Sequence, residues 1–80
     1  MSQLERIAQQ EPQLWARIPG LIDQKRANTY EEAVNILKDL RDLAAHQQRM
    51  AEFQDRLAAI RNQYPTAQGL HRRLKVARLA

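Results

Sequence analysis

The sequence predicts an all-α protein, a small helical bundle built on an antiparallel helical hairpin. Three observations carry that expectation. Residues 30–64 contain neither Gly nor Pro. Within them Val34, Leu37, Leu40, Leu43, Met50, Phe53, Leu57, Ile60 and Tyr64 recur mainly at steps of three and four, the period of an amphipathic helix. No stretch alternates apolar and polar residues as a half-buried strand would.

The elements follow in chain order. Ser2 with Glu5 fits a capping box, so a short helix is expected over residues 3–10. Glu11-Pro12 interrupts it, because Pro suits the first turn of a new helix. Leu14, Trp15 and Ile18 then share one face, and Pro19-Gly20 is a turn signal that ends or kinks the segment. Residues 21–27 supply another turn or two of helix, with Leu21 and Ile22 inward. Thr29 with Glu32 forms a second capping box, which places the next helix start at Tyr30 with Glu31 and Glu32 in its first turn.

The polar run His46-Gln47-Gln48-Arg49 divides the long apolar stretch. Before it the stripe follows Ala33, Leu37, Leu40 and Ala44; after it, Met50, Phe53, Leu57, Ile60 and Tyr64. A hairpin folds the two stripes together. One unbroken helix would run about 50 Å, too long for so short a chain to cover, and would have to dimerise through Ile36, Leu43, Met50, Leu57 and Tyr64, which are seven apart. His46 and Gln47 interrupt that seam, which favours the hairpin. Pro65 stops the second arm. Thr66 caps a last helix over residues 67–79, with Leu70, Leu74 and Ala77 as its stripe. The expected organisation is one domain over residues 1–80: an N-terminal helical segment (1–27), the hairpin (29–64) and a basic C-terminal helix (66–80).

The composition narrows the function classes. Eighty residues make one domain at most, and such a chain buries only about 60–65% of its unfolded surface. With no cysteine there is no disulfide and no thiolate ligand. No apolar run reaches the roughly 20 residues of a membrane span, and the N-terminus lacks the basic start and apolar run of a signal peptide. The expected setting is cytoplasmic, without a membrane. The net charge of +4 is uneven: residues 1–63 hold nine Lys/Arg and nine Asp/Glu, whereas residues 64–80 hold Arg72, Arg73, Lys75 and Arg78 and no acid. Such an excess suits an anionic partner or a solvated helix end whose cations complement the dipole.

The string Tyr30-Glu31-Glu32-Ala33-Val34, with Leu37, Leu40-Arg41, Leu43, Ala51-Glu52-Phe53, Leu57, Ile60-Arg61 and a basic end containing Leu74, resembles the C-terminal helical region of bacterial SWIM zinc-finger family proteins. The resemblance covers residues 15–80. It implies a helix pair followed by a basic tail, nucleic-acid-associated or protein-interaction work, and no catalysis. The family's zinc finger uses cysteines and a histidine; this chain has no cysteine, so no zinc ligand carries over. Leu70 and Leu74 stand where the family's tail tends to hold an aromatic.

Candidate chemistry is sparse. His46 and His71 are the only imidazoles, without a nearby Cys. Asp42 lies one turn before His46, a spacing that suits a helix-surface pair. A metal site or general base needs further convergent groups. Glu31, Glu32, Asp39 and Asp42 are interspersed with Lys38, Arg41 and Arg49, the pattern of a salt-bridged solvent face. With Gly20 and Gly69 as its only glycines, the chain has no phosphate loop. No catalytic, metal or cofactor-binding residue is assigned, and no cofactor or small-molecule substrate is expected.

Two groups remain. Arg72, Arg73, Lys75 and Arg78 suit phosphates or an acidic partner. Trp15, Leu70 and Leu74, with Leu79, suit an apolar docking surface, although Trp15 equally serves as core. The function expected is a non-catalytic helical protein-interaction or adaptor module of a larger complex, with a protein partner that is a second copy or another chain. The alternative is an accessory nucleic-acid binder that uses the basic C-terminal helix.

Overall fold

The computed structural model describes residues 3–79, with side chains from Glu5 onward. Four helices follow one another: α1 (Gln3–Asp23), α2 (Ala27–His46), α3 (Met50–Gln63) and α4 (Gln68–Val76). There is no strand among the described residues. The bundle measures 36 × 21 × 20 Å. It is all-α, as the apolar periodicity requires.

The central element is α2. Its buried residues Thr29, Ala33, Val34, Ile36, Leu37, Leu40, Leu43 and Ala44 cover roughly half of the helix circumference at 100° per residue. A surface helix that packs on one neighbour shows a narrower stripe; α2 packs on three, and α1 lies along it most extensively. Arg17 of α1 pairs with Glu32 of α2 at 2.9 Å, so these two helices form an antiparallel pair. The expected hairpin is the next pair, α2 and α3, joined by Gln47, Gln48 and Arg49. The Tyr30 ring meets the backbone at Gly69, and Arg41 Nη1 donates to the Ala77 carbonyl at 3.3 Å. Hence α2 and α4 run in the same direction.

The two stripes of the hairpin meet as expected: Ala33, Leu37, Leu40, Ala44, Phe53, Leu57 and Ile60 are buried, while Met50 and Tyr64 are partly so. The single long helix ends instead at His46.

Several expected boundaries are corrected. The N-terminal region is one continuous helix, not two or three short ones, and Pro12 and Pro19 lie inside it. Each proline removes one helix hydrogen bond, but Ile7, Ile18, Leu21 and Ile22 are all buried in the common core, and that packing overrides the local break. The capping box expected from Ser2 lies outside the described residues at its Ser2 end. The second helix starts three residues early, at Ala27, with Arg26 as N-cap. Thr29 sits within the first turn, where its hydroxyl accepts the Arg26 N–H at 3.3 Å and donates to the Arg26 carbonyl at 2.9 Å. The last helix is shorter than expected. Its N-cap is Ala67, without a side-chain cap, and Thr66 contributes its carbonyl to the Gln68 N–H at 2.9 Å.

The helix ends share one device. Lys25, Gln48 and Arg78 have φ of 54°, 57° and 60°, the left-handed conformation that ends helices and that Gly usually supplies. After α2, Gln48 N–H donates to Ala45 and Arg49 N–H to Ala44. After α4, Arg78 N–H donates to Lys75 and Leu79 N–H to Leu74. Both are Schellman motifs, and in the second Leu79 and Leu74 are buried, the apolar contact that accompanies the motif.

Candidate interaction face of the C-terminal helix

The core decides which residues remain for a partner. Leu70 and Leu74 are fully buried and Leu79 is 4% exposed. They were expected to form an apolar docking surface. Their stripe instead closes the bundle against α2, which leaves them no area for a second protein. Among the described residues the exposed large hydrophobic is Val76, 81% exposed, at the last position of α4.

Trp15 is half-buried rather than a free anchor. It ties α1 to α3: its ring lies 5.9 Å from Phe53, tilted by 49°, and the Arg56 guanidinium carbon sits 5.2 Å from the ring centroid, within cation–π range. Its Nε1 is buried without a hydrogen-bond partner. The cavity beside it, lined by Glu11, Leu40, Gln47 and Phe53 among others, holds about 20 Å³. That is the space of a single water, so this seam admits no larger ligand.

The four basic residues divide by environment. Arg72, Lys75 and Arg78 are exposed, while Arg73 is partly buried and donates from Nη1 to the Gly69 carbonyl at 3.1 Å. None of the four forms an ion pair among the described residues. Ion pairs elsewhere include Arg17–Glu32, Arg41–Asp42 and Arg49–Glu52. The α4 cations therefore keep their charge open to a partner.

Arg72, Arg73 and Lys75 stand between two grooves. On one side, between α2 and α4, a groove of about 550 Å³ is lined by Glu31, Val34, Lys38, Arg72, Arg73 and Val76, with Asn35 and Ala77. On the other, between α3 and α4, a groove of about 480 Å³ is lined by Ala58, Arg61, Asn62, Pro65, His71 and Lys75. Lys38 and Arg61, from α2 and α3, thus extend the basic face beyond the tail. Sequence reading missed both because they belong to the charge-balanced part of the chain; no periodicity within α4 points to them. His71 is fixed in place, with Nε2 2.9 Å from the Tyr64 carbonyl, so the Nε2–H tautomer donates there.

The rest of the surface is charge-laced. Asp42 pairs with Arg41 at 3.4 Å, not with His46 as its spacing suggested. Arg49 and Glu52 pair across one turn at the start of α3; that hydrogen bond and the Glu52 charge raise the Arg49 pKa from its ordinary value. No group of three or more His, Cys, Asp or Glu side chains comes together among the described residues, and none of their helices is long and apolar enough to cross a membrane.

Comparison with known proteins finds no matching family model, no matching curated protein and no matching solved structure.

Proposed function

We propose that this chain is a non-catalytic interaction module that holds an anionic protein partner against the α4 face. The observation that carries the reading is the set of α4 cations: Arg72, Lys75 and Arg78 are exposed and without an ion pair among the described residues. Lys38 and Arg61 stand on the flanking groove walls. Unpaired cations clustered on one face raise the potential there and steer an oppositely charged partner. The exposed Val76 on the same helix adds apolar area that a protein partner can cover.

A second reading has its own observation. The α3–α4 groove is lined by Arg61, His71 and Lys75 and by no carboxylate, which suits a phosphate backbone. The chain would then be an accessory nucleic-acid binder without base readout.

Partner capture from source-cell extract, with and without nuclease, separates the two. A protein catch that survives nuclease and is lost with Arg72→Glu/Lys75→Glu supports the first reading. A catch that disappears with nuclease favours the second, and the affinity for duplex DNA should then fall with salt by a log–log slope of about −0.9 per phosphate contact. Binding indifferent to the double charge reversal overturns both. The second reversal is placed at Lys75 and not at Arg73, because Arg73 also bonds the Gly69 carbonyl within the fold.

A further inference from the structure

We infer that the α2–α4 groove is a peptide-docking site whose occupant is an acidic, amphipathic segment of the partner, seated with an apolar side chain on Val76. The inference rests on the protein-partner reading above and names where on the face the partner sits. The groove is an open surface cleft of about 550 Å³, so an occupant lies along it with one side in solvent. Its apolar part comes from Val34 at the base, Ala77 and the exposed Val76. Its charged part is Lys38, Arg72 and Arg73 against the single carboxylate of Glu31, a net excess of two positive charges (three minus one). An apolar strip beside cations is complementary to a segment that places carboxylates one helical turn from an aliphatic or aromatic residue.

The charges also have an order. Glu31 and Lys38 are seven residues apart on α2, so they stand about 10 Å apart along the axis. Arg72 and Arg73 face them from α4, which runs in the same direction. Lys38 and Val76 stand toward the C-terminal end of α4, whereas Arg73 Nη1 reaches back to the Gly69 carbonyl at the Tyr30 end.

Other occupants fit less well. A second copy docked groove to groove would set Lys38, Arg72 and Arg73 against the same cations. A phosphate backbone needs cations but gains nothing from Val34 and Val76.

The test starts from a phage-displayed random library of peptides about a dozen residues long, panned on the full chain. The enriched peptides are then synthesised with a fluorescent label and titrated by anisotropy. The expected consensus pairs two or more Asp/Glu with a Leu, Ile or Phe one helical turn away. Methyl NMR of the complex should shift Val34, Val76 and Ala77. Val76→Ser should weaken binding about fivefold, as expected for one lost apolar contact. Lys38→Glu should weaken it about tenfold or more. Gln9→Glu, at an exposed position of α1 that lines neither groove, should change it by less than about twofold. Val76 and Lys38 are exposed, and unchanged far-UV circular dichroism checks that the variants fold.

A consensus without acids, or binding unmoved by both Val76→Ser and Lys38→Glu, overturns the groove. If binding is then still lost with Arg72→Glu/Lys75→Glu, α4 remains the interaction face and only the groove assignment falls. If no peptide is enriched while a duplex of about 20 base pairs binds with a steep salt dependence, the protein-partner reading falls with the groove.

Discussion

The Tyr30 ring lies against the backbone of Gly69: a Cβ added at Gly69 would stand 3.3 Å from both Cδ2 and Cε2 of Tyr30. This approach sets the spacing of α2 and α4 at the N-terminal end of α4. Gly20, inside α1, has nothing within 4 Å of the same position. The two glycines therefore respond differently to one substitution. Gly20→Ala should stabilise the fold by about 1 kcal/mol through helix propensity. Gly69→Ala should give no net gain, because Tyr30 must move to admit the methyl. Urea denaturation followed by circular dichroism checks both; equal gains at the two sites would show that the Tyr30 packing is loose.

The left-handed residues predict the reverse change. Lys25 and Gln48 have φ of 54° and 57°, where a side chain costs about 1–2 kcal/mol and Gly costs only its greater unfolded-state entropy. Lys25→Gly and Gln48→Gly should each raise stability by about 0.5–1 kcal/mol. The two sites lie on different turns, so the double variant should sum the single effects.

Trp15 separates packing from hydrogen bonding. Its ring packs on Phe53 and under Arg56, but its Nε1 has no partner. Trp15→Ala should cost about 2–4 kcal/mol through lost packing. Trp15→Phe should cost less than about 1 kcal/mol, since it keeps an aromatic ring and removes a buried donor that nothing satisfies. Far-UV circular dichroism is the suitable probe, because both substitutions remove the only tryptophan.

Tyr64 gives the fold an alkaline limit. Burial first, and the nearby Asp23 carboxylate with its hydrogen bond second, raise the Tyr64 pKa from the ordinary 10.0. The unfolded chain therefore releases this proton before the folded one does. The stability contributed is complete below pH 10 and is lost as pH rises from there through the folded value. The urea midpoint should fall over that window, and Tyr64→Phe should make the fall shallower. An identical slope in the variant would assign the decline to other groups.

Much of the fold was legible in the chain because apolar period and burial are the same fact seen twice. Leu37, Leu40, Phe53 and Leu57 recur at helical steps and are all buried. The breaks were less legible. Pro12 and Pro19 are local stop signals, yet α1 passes through both, because packing on α2 outweighs two missing hydrogen bonds. The turns after α1 and α2 and the end of α4 carry Lys25, Gln48 and Arg78, residues with no turn signature, and both glycines lie within helices. The turn after α3 does carry its signal, Pro65. For the site, Arg72, Lys75 and Arg78 are exposed as their sequence suggests, but Leu70 and Leu74 are not. An apolar stripe on a short helix reads the same whether the surface it meets belongs to the same chain or to another. Lys38 and Arg61 became part of the basic face only through the folding of three helices together.

Because α2 is the element on which the others rest, the bundle should open from its ends inward. The nine residues of α4 are held mainly by Leu70, Leu74 and Leu79, whereas α2 is covered from three directions. Amide hydrogens of α4 should exchange with solvent first and those of α2 last, near the global unfolding rate. The helix that carries the free cations is then also the one whose order a bound partner would increase most, so occupancy of this face would register as slowed exchange in α4 before it altered the melting of the whole molecule.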